Sequence, residues 1–208
     1  TREVNYSETS QTFDTLLDAL MNSSNSEMAA VRTMRDTVGA DMVGMMIGLS
    51  NSCGLASSIS STAANAYMVM SYLCVSNKSF EHEFGHLIGA RHDTYVDPTT
   101  TPYAYGHGYI APANSWRTVM AYANGCGSCP RLQYFSNPSI NYPGDGVAMG
   151  TTATNDNARV HRERATTVAA FRAAVSSNYT ISVSASPSIG GSVSGGGTYS
   201  SGASVTVN

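Results

Sequence analysis

Charge is what this chain has least of. Only 12% of its 208 residues are Asp, Glu, Lys or Arg, about half the usual share of roughly 25%. Ser, Thr, Asn and Gly fill the polar surface instead. With Lys+Arg at 11 and Asp+Glu at 14, the net charge is −3 and no basic patch forms, which argues against a nucleic-acid partner. No apolar run reaches the roughly 18 residues that a membrane span requires. Residue 1 is Thr, with no signal peptide after it, and the end "SSGASVTVN" stops on an alternating pattern without a closing element. Both ends look cut, so a mature or partial chain is expected. The length suits one domain with a real core and a small addition.

Histidine is scarce as well, five in all, yet three fall within HEFGHLIGARHD at 82–93. His82 and His86 are four apart, so on a helix both imidazoles share one face and can reach one metal ion. Glu83 flanks that face and points partly aside, where a general base for a metal-bound water belongs. Gly89 supplies a helix-ending turn, since glycine enters positive-φ conformations at little cost. His92 can then approach the same ion from another side. Three nitrogen ligands with a fourth position open mark a catalytic zinc site rather than a structural one. Five fixed residues in HExxHxxGxxH leave little room for ordinary surface or core histidines at this spacing.

HEFGHLIGARHD resembles the zinc signature of the metzincin metalloendopeptidases, and Asp93 after the third histidine resembles their reprolysin (adamalysin) branch. The resemblance implies a methionine turn beneath the metal, which "RTVMAY" at 117–122 matches with Met120. "SCPRLQYFSNPS", "NDNARV" and "VAAFR" resemble bacterial members described as peptidyl-Asp metalloendopeptidases. The likeness covers roughly residues 1–174. It implies one catalytic Zn2+, protein or peptide substrates, and an α/β (α+β) domain with a mixed, mostly parallel sheet, an active-site helix and a C-terminal helix. Calcium is left open, with nothing in the sequence to support it. A monomer is expected.

Along the chain, "VNYSE" at 4–8 reads as a strand. Phe13, Leu16, Leu17, Leu20 and Met21 follow a helical period over 11–22. Ser26 is a candidate cap for a helix over 27–37 that ends near Gly39. The apolar run 41–49 suggests a strand buried on both faces. A second strand is read at 66–74; the resemblance puts it on the rim of the cleft, where a substrate peptide pairs with its edge. The metal-binding helix follows at about 77–89, then a loop-rich stretch over 94–153 and a last helix at about 155–174. Reprolysins usually have a further strand and helix ahead of the segment that opens here, so the catalytic domain, 1–175, is expected to lack them. Residues 176–208, rich in Gly and β-alternation, resemble an internalin B-repeat or else form a linker.

The remaining candidates stay open. Cys126 and Cys129 form a CxxC, either a redox motif or half of a zinc knuckle, but the knuckle lacks a second close pair. Two disulfides, Cys53–Cys74 and Cys126–Cys129, are the simplest reading, and they imply a secreted, extracellular protein. Tyr122 matches a tyrosine that in some metzincins steadies the transition-state oxygen, or is a packed core residue. Arg131 either meets an acidic side chain at P1′ or braces the CxxC loop, with Arg117 as its rival. His107 and His161 read as structural or surface histidines. The leading function is a secreted zinc endopeptidase. The alternatives are a non-catalytic adhesion or matrix-binding protein on this scaffold, which loss of Glu83 or a ligand histidine would have favoured, and a zinc hydrolase of non-peptide bonds.

Overall fold

The computed structural model describes residues 3–175, 178–187 and 189–208, which form two compact units divided between Arg172 and Ala173. The boundary expected at 175–176 abuts residues 176 and 177, which lie outside the described residues.

The first unit begins with two helices. Helix α1 (Phe13–Met21) starts in a capping box in which Thr12 and Thr15 satisfy each other's exposed amides. Its apolar period buries Phe13, Leu16, Leu17 and Leu20. Helix α2 (Ala29–Val38) ends at Gly39, whose φ of 64° needs no Cβ to be accommodated. Ser26 does not cap it. Met28 holds the cap position, and the Asn25 side chain accepts the Met28 N–H at 2.9 Å.

The stretch 4–8 is not a strand but an extended segment tied by Glu8, whose carboxylate accepts the Gly48 N–H at 2.8 Å. Three strands form a mixed, partly parallel sheet. Strand β1 (Val43–Ile47) runs parallel to β3 (Tyr67–Ser71), and β2 (Gly54–Ala56) is antiparallel to β3 on its other side. The order β1-β3-β2 corrects two expectations. The 41–49 run is not buried on both faces, since β1 is an edge strand with Met46 59% exposed. The strand at the cleft is not 66–74, because β3 is paired on both sides and buried along its whole length. Two apolar runs of similar length carry the same burial signal, and only pairing decides which one is central. The three residues of β2 are too few to show a period.

Val43 N–H donates to Ala66 O at 3.0 Å, so Gly44 and Met46 leave their main-chain groups on the outer edge of β1. An apolar groove of about 640 Å³ follows that edge, lined by Val31, Met34, Val38, Met45 and Met46 with the buried Arg35. Arg35 is held over the Tyr67 ring at 4.6 Å and donates to Ala40 O at 3.0 Å.

A 3-10 turn (Tyr72–Asn77) leads from β3 into helix α3 (Ser79–Ile88), which packs against β2 and β3. The disulfide Cys53–Cys74 joins that turn to the start of β2. After α3 the chain is largely irregular, with one hairpin, β4 (Asn137–Asn141) and β5 (Ala148–Met149). Trp116 anchors this region by donating to Asp145 at 2.6 Å, and packs with Ala111 and Met149. Helix α4 (Asn157–Val168) is capped by Asp156 and is shorter than the 155–174 read from sequence. It braces the end of α3, with Arg164 donating to Ile88 O at 3.2 Å and Ser61 O at 2.6 Å.

The second unit, taken by itself, is a hairpin of β6 (Asn178–Ile181) and β7 (Gly197–Ser200), antiparallel with Tyr179 opposite Tyr199.

Candidate metal centre

Helix α3 carries His82, Glu83 and His86 on one buried face, at 5%, 6% and 8% exposure. It stops at Gly89, where φ is 133°. A Cβ there would also lie 3.0 Å from the Tyr103 ring and 3.1 Å from Val160, so both backbone and space require glycine. Past the turn, Arg91 enters a short ladder with the next loop: its N–H donates to Gly106 O at 2.7 Å, and Gly108 N–H donates to Arg91 O at 3.0 Å. That ladder extends the chain and aims His92 back at α3. His107, itself buried, hydrogen-bonds through Nδ1 to His92 O at 2.8 Å, which makes it a structural histidine.

The three imidazoles converge, with His92 Nε2 3.1 Å from His82 Nε2 and 2.9 Å from His86 Nε2. Among the described residues they form the one group of this kind able to hold a metal ion. Their orientation is set from behind. His82 Nδ1 donates to Val119 O and His86 Nδ1 to Ala90 O, each at 2.9 Å, which leaves their Nε2 lone pairs facing inward. Burial lowers all three pKa values, His82 well below its ordinary value and His92 to about 3, so the imidazoles are neutral at neutral pH. Inward lone pairs at this distance repel unless a cation lies between them. Zinc at roughly 2.0–2.1 Å from each nitrogen fits with a slight widening of the triangle.

Met120, fully buried, packs beneath α3, its sulfur 2.6 Å from where a Cβ on Gly85 would sit. Asp93 ties the third histidine's loop to this methionine turn. Its carboxylate accepts the Tyr122 N–H at 2.8 Å and the Tyr95 N–H at 3.1 Å. Tyr122 is 39% exposed, with its ring edge-on to His92 at 4.3 Å, so it is not a packed core residue. Burial lifts the Glu83 carboxyl to about 7, opposed by the Ala56 amide and the Arg131 charge.

Two arginines meet behind the turn. Arg117 Nε and Arg131 Nη2 both donate to Ala121 O, at 3.0 and 3.3 Å. Arg117 also bonds Cys129 O, in the loop closed by the disulfide Cys126–Cys129, and Arg131 donates to Asn77 O at 2.9 Å. Among the described residues neither arginine has a carboxylate partner. Burial, then the Arg117 charge, lower the Arg131 pKa. His161 is not part of this group; it is half-buried against Phe135, with ring centroids 4.3 Å apart, and burial takes its pKa to about 4.

Sequence reasoning missed strand β2, the carbonyls of Val119 and Ala90, and the Asp93 bridge as a contact. The first was too short to show a period. The carbonyls leave no trace in residue type. Only the position of Asp93, next to His92, carried a signal.

Residues 1–136 match the profile of metallo-peptidase family M12. The chain is 47% identical over 172 residues to a peptidyl-Asp metalloendopeptidase of Stenotrophomonas maltophilia, covering 81% of this chain and 40% of the relative. It is 47% identical to one of Xanthomonas campestris pv. campestris over 80% of this chain and 39% of the relative. A shorter match to one of Pseudomonas fragi is 53% identical, over 45% of this chain and 58% of the relative. The chain thus spans about two fifths of the length of the first two relatives. A solved chain from the structure of a chaperone-substrate complex shares the fold, with a TM-score of 0.62 and 21% identity over 81% of this chain and 26% of that one.

The Asp93 bridge generates a prediction. Asp93→Ala should weaken zinc binding by roughly ten- to hundredfold, as loss of a supporting partner does elsewhere. Competition with a chelator of known affinity measures it, and unchanged affinity would show that the bridge does not position His92.

Proposed function

Because this chain belongs to metallo-peptidase family M12, we propose that it is a zinc-dependent endopeptidase in which His82, His86 and His92 hold the metal and Glu83 is the general base. The convergence of three neutral Nε2 atoms beside a buried carboxylate carries this reading. Zinc, when bound, supplies Lewis acidity to the scissile carbonyl and lowers the pKa of water in the open position. The protein's own residues do the rest. Glu83, with its pKa lifted to about 7 by burial, is poised to take a proton from water and pass it to the leaving amine. The packing of the Tyr122 ring against His92 supports a role for its hydroxyl in steadying a developing oxyanion. Met120 gives α3 a packed floor, and Gly89 turns His92 inward. The outer edge of β2 suits pairing with an extended substrate peptide, since β3 is paired on both sides.

Two disulfides support a secreted, extracellular enzyme acting on proteins or peptides. The division at Arg172 supports a catalytic unit followed by a small β-repeat. Among the described residues no strand pairs with the outer edge of β1, whose apolar groove is lined in part by Val4 and Tyr6.

The relatives' name, peptidyl-Asp metalloendopeptidase, supports a preference for Asp at P1′. A buried carboxylate needs a cationic partner, and among the described residues Arg131 bonds only to carbonyls while its buried Nε has no partner. Arg117, nearly buried and bonded to Ala121 O and Cys129 O, is the brace of the pair.

Glu83→Gln should keep one zinc per chain and lose about 10²-fold or more in kcat. Metal analysis beside a peptide-cleavage assay checks both, and normal turnover would remove Glu83 as the base. Arg131→Ala should lower kcat/KM on Asp peptides roughly tenfold or more relative to Leu peptides. An equal loss on both would make Arg131 structural.

A further inference from the structure

Gly54 opens β2, the edge strand beside Glu83. The ladder fixes which way its polar groups face. Ser71 N–H donates to Cys53 O and Ser57 N–H to Tyr67 O, each at 3.0 Å, with Leu55 opposite Val69 between them. Residues 53, 55 and 57 therefore bond to β3, and Gly54 and Ala56 turn their main-chain groups to the free edge. The Glu83 side chain lies against this strand at Gly54, near enough to the Ala56 amide for that dipole to offset part of the rise in its pKa.

A Cβ on Gly54 would fall 2.4 Å from Glu83 Oε1, 2.5 Å from Cγ and 2.7 Å from Cδ. Ordinary carbon contacts are about 3.5–4.0 Å. The overlap involves the middle of the side chain as well as its tip. Sliding α3 away to relieve it would break the bond that ties His82 to Val119 O on the following loop. Any side chain at position 54 would have to turn Glu83 off the edge strand.

We infer that Gly54 is a positioning residue for the base. The missing side chain lets the Glu83 carboxylate lie against β2 at Gly54, while α3 keeps both of its histidines turned inward. The role rests on the reading of Glu83 as general base proposed above. It separates two tasks of one helix: the ligands are oriented from the methionine turn and Ala90, and the base from the edge strand.

The test is Gly54→Ala, read in two ways. In the zinc-loaded enzyme, kcat should fall about 10²-fold, the size expected of a small misplacement, while KM and zinc content stay as in the wild type. In the metal-free protein, denaturant unfolding is compared in two backgrounds. Gly54→Ala should lower the midpoint when Glu83 is present and leave it unchanged when Glu83→Ala has removed the clash. Failure to fold with Glu83 present, and folding with Glu83→Ala, would be the same coupling in a stronger form. The unfolding comparison reads the contact even if the wild type cleaves no peptide, so failure of the enzymatic reading is distinguishable. Unchanged kcat, or equal destabilisation in both backgrounds, overturns the inference.

Discussion

The metal centre depends on where one helix stops. If α3 ran on past Gly89, position 92 would be carried around the helix and away from the face of His82 and His86. The turn at φ 133° sends the chain back, and the Arg91 ladder with Gly106 and Gly108 holds it extended there. The rest of the unit is arranged to keep that reversal in register. Helix α4 grips the end of α3 through Arg164, and Val160 packs at the turn itself. Asp93 then ties the returning chain to the methionine turn, whose Val119 carbonyl orients His82.

That closed circuit explains how so little charge suffices. The imidazoles are neutral by burial, and His82 and His86 are oriented by main-chain carbonyls rather than by carboxylates. Among the described residues Glu83, Arg117 and Arg131 have no ion-pair partner, and burial presses against the charged form of all three. Such groups gain most from an incoming partner of opposite charge or from proton transfer.

Much of this was legible in the sequence, because the informative features are local. The i, i+4 spacing of His82 and His86, the glycine three residues on, and the period of Phe13, Leu16, Leu17 and Leu20 are each decided within a few turns of chain. What was not legible is non-local. Which apolar run becomes the central strand depends on pairing, and 41–49 and 66–74 look alike until β2 is placed. β2 itself is three residues long, and its importance lies in main-chain groups that every residue has. Likewise the Arg117–Arg131 pair is made by a parallel bridge between segments fourteen positions apart in sequence, so composition alone left the two as rivals.

The central claim is that three imidazoles from two segments share one zinc ion. X-ray absorption at the zinc edge of the pure protein tests it most directly. The account predicts one zinc per chain with three imidazole nitrogens at about 2.0–2.1 Å and a fourth, light-atom ligand. Sulfur ligation at about 2.3 Å, or two or fewer imidazoles around the metal, would contradict it.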